Sequence, residues 1–82
     1  MPMFLIERNF AREIHPDDAS RAKIKQVNDE IGIQWLYSFL SADKRKTYCL
    51  YEAPNAEAIR EAAGRLNIPA DIIVEVSETR PV

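Results

Sequence analysis

An α+β sandwich of the ferredoxin-like kind, with element order β-α-β-β-α-β, is the fold this sequence predicts. Three observations lead to it. Residues 33–40 (Ile-Gln-Trp-Leu-Tyr-Ser-Phe-Leu) and 47–51 (Thr-Tyr-Cys-Leu-Tyr) are almost wholly apolar or aromatic, and they flank a short polar connection at 41–46. Two such runs read as a β-hairpin. Apolar residues recur at helical spacing before and after that hairpin. A β-rich run opens the chain at 3–8 and another closes it at 72–77. With right-handed crossovers, this order gives a four-stranded antiparallel sheet carrying two helices on one face.

Each element has its own justification. In the first strand, Met3 and Leu5 alternate with Phe4 and Ile6, so both faces are apolar and the strand suits the middle of a sheet. Residues 9–15 form an irregular link. The first helix is expected to begin near Pro16, a favoured first-turn residue, with Asp17 and Asp18 complementing the helix dipole. Ser20, Ile24, Val27 and Ile31 follow at helical spacing, and Gly32 ends the helix. After the hairpin, Asn55 is a good N-cap for a helix over 56–66. Its stripe, Ile59, Ala62, Ala63 and Leu66, is narrow and mostly small, which lets a helix lie close to a sheet. Asn67 and Pro69 stop it.

Composition bounds the rest. Eighty-two residues make one domain, spanning 1–82. With 46% hydrophobic residues, 29% charged residues and two Gly, the chain is neither disordered nor collagen-like. A net charge of −2 gives no bulk attraction for nucleic acid. One cysteine cannot close an intramolecular disulfide, which fits a reducing compartment. The N-terminal apolar run is too short for a signal peptide or a membrane span, so a cytoplasmic protein with no membrane partner is expected.

The hairpin leaves one face to explain. If Phe39 pairs with Tyr48, simple alternation puts Trp35, Tyr37, Phe39, Tyr48 and Leu50 on one face. Leu36, Ser38, Leu40, Thr47, Cys49 and Tyr51 then share the other. Two helices cover one face only, and the Cys49 set is expected to lie beneath them. The aromatic face is then open, and a homodimer through it is the expected assembly.

Candidate chemistry is sparse. On the open face, Trp35, Tyr37, Phe39 and Tyr48 would wall a ligand site, with Glu7 as its polar group. Glu7 and Glu75 are also candidates for a carboxylate pair. His15 is the one imidazole and the weak candidate for a metal ligand. Cys49 reads as a small buried hydrophobe rather than a nucleophile. Lys44-Arg45-Lys46 reads as a solvated turn.

The chain also resembles a family of small ferredoxin-like bacterial domains of largely unknown function, one member of which is described as nickel-binding. The resemblance is carried by Phe4-Leu5-Ile6-Glu7-Arg8, Trp35, Ser38-Phe39-Leu40-Ser41-Ala42-Asp43 and Lys46-Thr47-Tyr48-Cys49-Leu50-Tyr51-Glu52-Ala53-Pro54. It continues through Glu57-Ala58-Ile59-Arg60, Pro69-Ala70-Asp71 and Ile73-Val74-Glu75-Val76. The Cys-x-Tyr-x-Ala-Pro segment is its most specific piece. The resemblance implies a dimeric ferredoxin-like domain and a transition-metal site, nickel by analogy. In the family, histidine is common near positions 62 and 37, where this chain has Ala62 and Tyr37. His15 alone cannot build an imidazole site.

Two functions follow as expectations. The first is a non-enzymatic dimeric binding domain that holds a metal ion or small ligand at the open sheet face. The alternative is a cofactor-free enzyme of the dimeric α/β-barrel type, acting on a small apolar or aromatic molecule. A packed face favours the first, and a ligand-sized cavity reached by a titratable residue favours the second.

Overall fold

The computed structural model describes all 82 residues, Met1–Val82. Along the chain run β1 (Met3–Asn9), α1 (Asp18–Ile31), β2 (Gln34–Leu40), β3 (Lys46–Glu52), α2 (Ala56–Leu66) and β4 (Ile72–Val76). The strands form one sheet in the order β2-β3-β1-β4, and each neighbouring pair is antiparallel. The expected ferredoxin-like βαββαβ architecture is therefore observed. β1 and β3 are the central strands, as their two apolar faces require.

Local chemistry sets the helix ends. α1 starts two residues later than expected. The Asp17 carboxylate accepts a 2.8 Å hydrogen bond from the Ser20 N–H, which makes Asp17 the N-cap and leaves Pro16 outside the helix. The Ser20 backbone and hydroxyl hold the Asp17 carboxyl below the usual carboxylate range. The cap is therefore intact at neutral pH and is lost as acid protonates it. Gly32, at φ 88°, closes α1 by donating its N–H to the Asn28 carbonyl. That left-handed turn is the conformation glycine adopts without cost. α2 is capped by Asn55, which accepts from the Ala58 N–H, and it ends at Asn67 with φ 54°. Arg65 of α2 pairs with Glu30 of α1.

The core lies between the helices and one side of the sheet. Phe4 and Ile6 of β1 and Cys49 and Tyr51 of β3 pack there against Val27, Ile59 and Ala62. The helices thus cover the Cys49 side, as expected. No helix is long and apolar enough to cross a membrane.

One register detail departs from simple alternation. Phe39 pairs with Tyr48 as expected, but Trp35 pairs with Tyr51 while Tyr37 pairs with Leu50. Leu36 is the extra residue of a β-bulge, so alternation fails there by one position. Trp35 consequently lies on the helix side with Tyr51, not on the open face with Tyr37. Its ring stacks on Tyr51 at 6.5 Å between centroids and 12° between planes, and its indole N–H donates to Ser38 Oγ at 2.7 Å. The expected placement of Trp35 among the open-face residues is corrected accordingly.

Candidate functional site

The link between β1 and α1 is held in place by main-chain bonds to the hairpin turn. Phe10 N–H donates to the Arg45 carbonyl and Ile14 N–H to the Lys44 carbonyl, both at 2.8 Å. So anchored, the link overhangs the helix-side face of β2 and β3. Beneath it is a half-open groove of about 610 Å³, within the usual range of small-molecule sites. Trp35, Ser38 and Leu40 of β2 and Thr47, Cys49 and Tyr51 of β3 line its base. Ile14 and His15 of the link and Arg21 and Ile24 of α1 form its walls.

The polar groups at the base are buried. Arg8 of β1 is 4% exposed and donates from Nη1 to the Pro69 carbonyl at 2.6 Å. Its guanidinium carbon sits 5.9 Å from the centroid of the Tyr51 ring, a cation–π arrangement. Burial pushes the Tyr51 phenol above its usual pKa; the nearby Asn28 amide and Arg8 guanidinium oppose that shift without outweighing it. Asn28 is 2% exposed, and its amide, although it acts on the Tyr51 phenol, makes no hydrogen bond of good geometry. Arg8 and Asn28 did not stand out as site residues in the sequence. For Arg8 the signal was available, because Phe4, Ile6 and Arg8 alternate onto one face of β1. Asn28 follows Val27 on a helix and carries no such mark.

Four of the five open-face candidates do come together. The strand registers put Glu7, Tyr37, Phe39 and Tyr48 on the side away from the helices, with Leu5, Leu50, Ile72 and Val74. Tyr37 and Phe39 meet edge to face at 5.7 Å. Glu7 pairs with Lys46 at 3.6 Å, and the Lys46 ammonium lies 5.9 Å from the Tyr48 ring centroid. Trp35 is separated from them by the thickness of the sheet. Glu7 and Glu75 do not form a carboxylate pair. Glu75 pairs with Phe4, whose side is the helix side, so the two acids point to opposite faces.

The metal donors are dispersed. His15 Nε2 is 3.7 Å from Glu13 Oε1, with both side chains more than half exposed. No three His, Cys, Asp or Glu side chains converge in a way that could hold a metal ion. The buried Cys49 thiol donates to Thr47 Oγ1 at 3.6 Å.

The family model for nickel responsive protein SCO4226-like matches residues 4–76, so the chain belongs to the SCO4226-like family. Among solved structures, SCO4226 from Streptomyces coelicolor A3(2) superposes with a TM-score of 0.81 at 22% identity. That match covers 95% of this chain and 99% of the other, and at this identity it shows the shared fold. No curated protein sequence matches.

Cys49 lies at the base of the groove yet is only 6% exposed. A thiol reagent at neutral pH should therefore label the native protein slowly and the denatured protein at once. Labelling at equal rates would show that the thiol is open and would revive it as a nucleophile.

Proposed function

We propose that this member of the SCO4226-like family is a non-enzymatic, cytoplasmic small-ligand-binding domain that works as a homodimer closed through its open sheet face. One observation carries the assembly: Leu5, Tyr37, Phe39, Ile72 and Val74 are each more than a third exposed on one continuous side of the sheet. Four strands spaced about 4.8 Å apart, with about 3.3 Å of rise per residue, present roughly 450 Å² of face. A patch of that order is as large as any a soluble monomer ordinarily leaves in water, and such patches are often interaction surfaces. Two such faces bury on the order of 1,000 Å², the lower bound of a specific interface. At about 25 cal/mol per Å² of apolar surface, a wholly apolar face would contribute at most on the order of 11 kcal/mol per chain before association costs. A twofold contact of the two sheets is the simplest closed solution. The Glu7–Lys46 pair would enter that interface already neutralised.

The ligand, in this reading, occupies the groove on the other side of the sheet. The enzyme alternative would use the same groove, where Glu13, His15, Cys49 and Tyr51 are the titratable groups besides the arginines. Catalysis by Cys49 needs a base placed to activate it. The polar neighbour of the Cys49 thiol is the Thr47 hydroxyl, so binding is the better account. Native mass spectrometry of protein purified without a His tag tests both parts of the reading. It reports the assembly and any retained ligand in one spectrum.

Nickel stands in the family description. The donors in this chain do not fit it, because one exposed imidazole with one carboxylate leaves an N/O site short of ligands. Calorimetric titration of untagged protein with Ni²⁺ should show no stoichiometric site tighter than about 1 μM, or roughly −8 kcal/mol. Sub-micromolar binding would contradict this, and His15→Ala would then test whether His15 is a ligand.

For the assembly, light scattering coupled to size exclusion should give twice the 9.4 kDa chain mass at micromolar concentration. Phe39→Asp should give monomer or unfolded chain, since it would bury an unpaired carboxylate. A stable wild-type monomer would overturn the dimer.

A further inference from the structure

We infer that the helix-side groove takes a small organic anion with an apolar body, a carboxylate in the simplest case, and that this anion is the counter-ion of Arg8. The inference rests on the reading of the groove as a ligand site and adds the chemistry of the ligand. Arg8 as a residue is 4% exposed, so only a small edge of its side chain still meets solvent. Burial of a charge is costly unless a partner compensates it. Arg8 forms no ion pair with any carboxylate of the chain. Its compensation within the chain is neutral: the Pro69 carbonyl oxygen, and Tyr51, whose ring it lies over and whose phenol it acts on.

A guanidinium has five N–H donors, and the Pro69 carbonyl uses one of them. The buried side-chain nitrogens and oxygens that are sealed from solvent without a partner belong to Asn28. The free N–H groups of Arg8 are therefore not sealed, and the groove is the space that Arg8 lines. A planar carboxylate is the group whose geometry matches that fork.

The surroundings agree in sign. Arg12, Arg21 and His15 line the same groove, against Glu13 as the one acid. This is a positive site on a chain of net charge −2. Glu13 and Asp18 face His15 and Arg21, respectively, and neither reaches Arg8. The rest of the wall is apolar, with Phe10, Ile14, Ile24, Trp35 and Leu40. Bare phosphate would satisfy the charge but leave those side chains wet, so the occupant needs an apolar body as well.

Trp35 is the only tryptophan of the chain and lies on the helix side, so its fluorescence reports binding on that side and not at the open face, and the response of the Arg8 variant assigns the signal to this groove. The test titrates the full-length protein with octanoate, 1-octanol and inorganic phosphate. Octanoate should shift the Trp35 emission saturably and bind at least about tenfold more tightly than octanol, with phosphate silent. Raising the salt should weaken octanoate and spare octanol. Arg8→Met should bring octanoate down to the level of octanol. Because Arg8 is buried and that variant could unfold, the exposed Arg12→Glu provides a second measure and should weaken octanoate alone. Equal binding of octanoate and octanol would overturn the anion while leaving the ligand site standing. Phosphate binding as tightly as octanoate would overturn the apolar body. A Trp35 signal that responds to none of the three would overturn the groove as a ligand site.

Discussion

A sheet that is apolar on both faces must be covered twice, and this chain has helices enough to cover it once. Everything else in the structure follows from that constraint. The central strands β1 and β3 carry Phe4, Ile6, Cys49 and Tyr51 to one side, and Leu5, Tyr48 and Leu50 to the other. The small stripe of α2 buries Ile59, Ala62 and Ala63 on the first side. The second side keeps Tyr37 and Phe39 in contact with water unless another surface meets them. The two faces thus differ in character: the open side is aromatic and aliphatic, and the covered side holds a groove with a buried arginine.

The covered side is not uniformly oily. The alternation that buries Phe4 and Ile6 also buries Arg8 at the end of β1, beside the end of β3 that holds Thr47. There the helices give way to the 10–16 link, and the space under that link is the groove. The Trp35–Tyr51 stack provides a rigid aromatic base, and Arg8 lies against the Tyr51 ring. An arginine held in this way loses solvation that the fold does not fully replace. A hydrophobic residue of similar size would satisfy the core at lower cost, so the arginine is better explained by what it receives from outside the chain. Asn28, buried beside Tyr51, acts on the phenol but makes no hydrogen bond of good geometry.

Much of the fold was legible in the sequence because its signals are local. Asn55 and Gly32 mark helix ends by side-chain and backbone chemistry that acts within a few residues. The Phe39–Tyr48 register follows from the length of the polar turn. Pro16 misled by two residues, because the Asp17 carboxylate competes successfully for the capping position. The position of Trp35 was not legible, since a one-residue bulge moves a side chain to the other face without any change in hydrophobic pattern. The groove was not legible either. It exists because Phe10 and Ile14 bond to the hairpin turn at Arg45 and Lys44, far along the chain, a pairing that no spacing rule announces.

The division between the two faces is tested most directly by intermolecular NOEs in a sample mixed from isotope-labelled and unlabelled chains. The account predicts NOEs between chains from the aromatic protons of Tyr37 and Phe39 to the methyl groups of Leu5, Leu50, Ile72 and Val74, with none from Ile24 or Trp35. Contacts between chains at Ile24 or Trp35, or none at Tyr37 and Phe39, would contradict it.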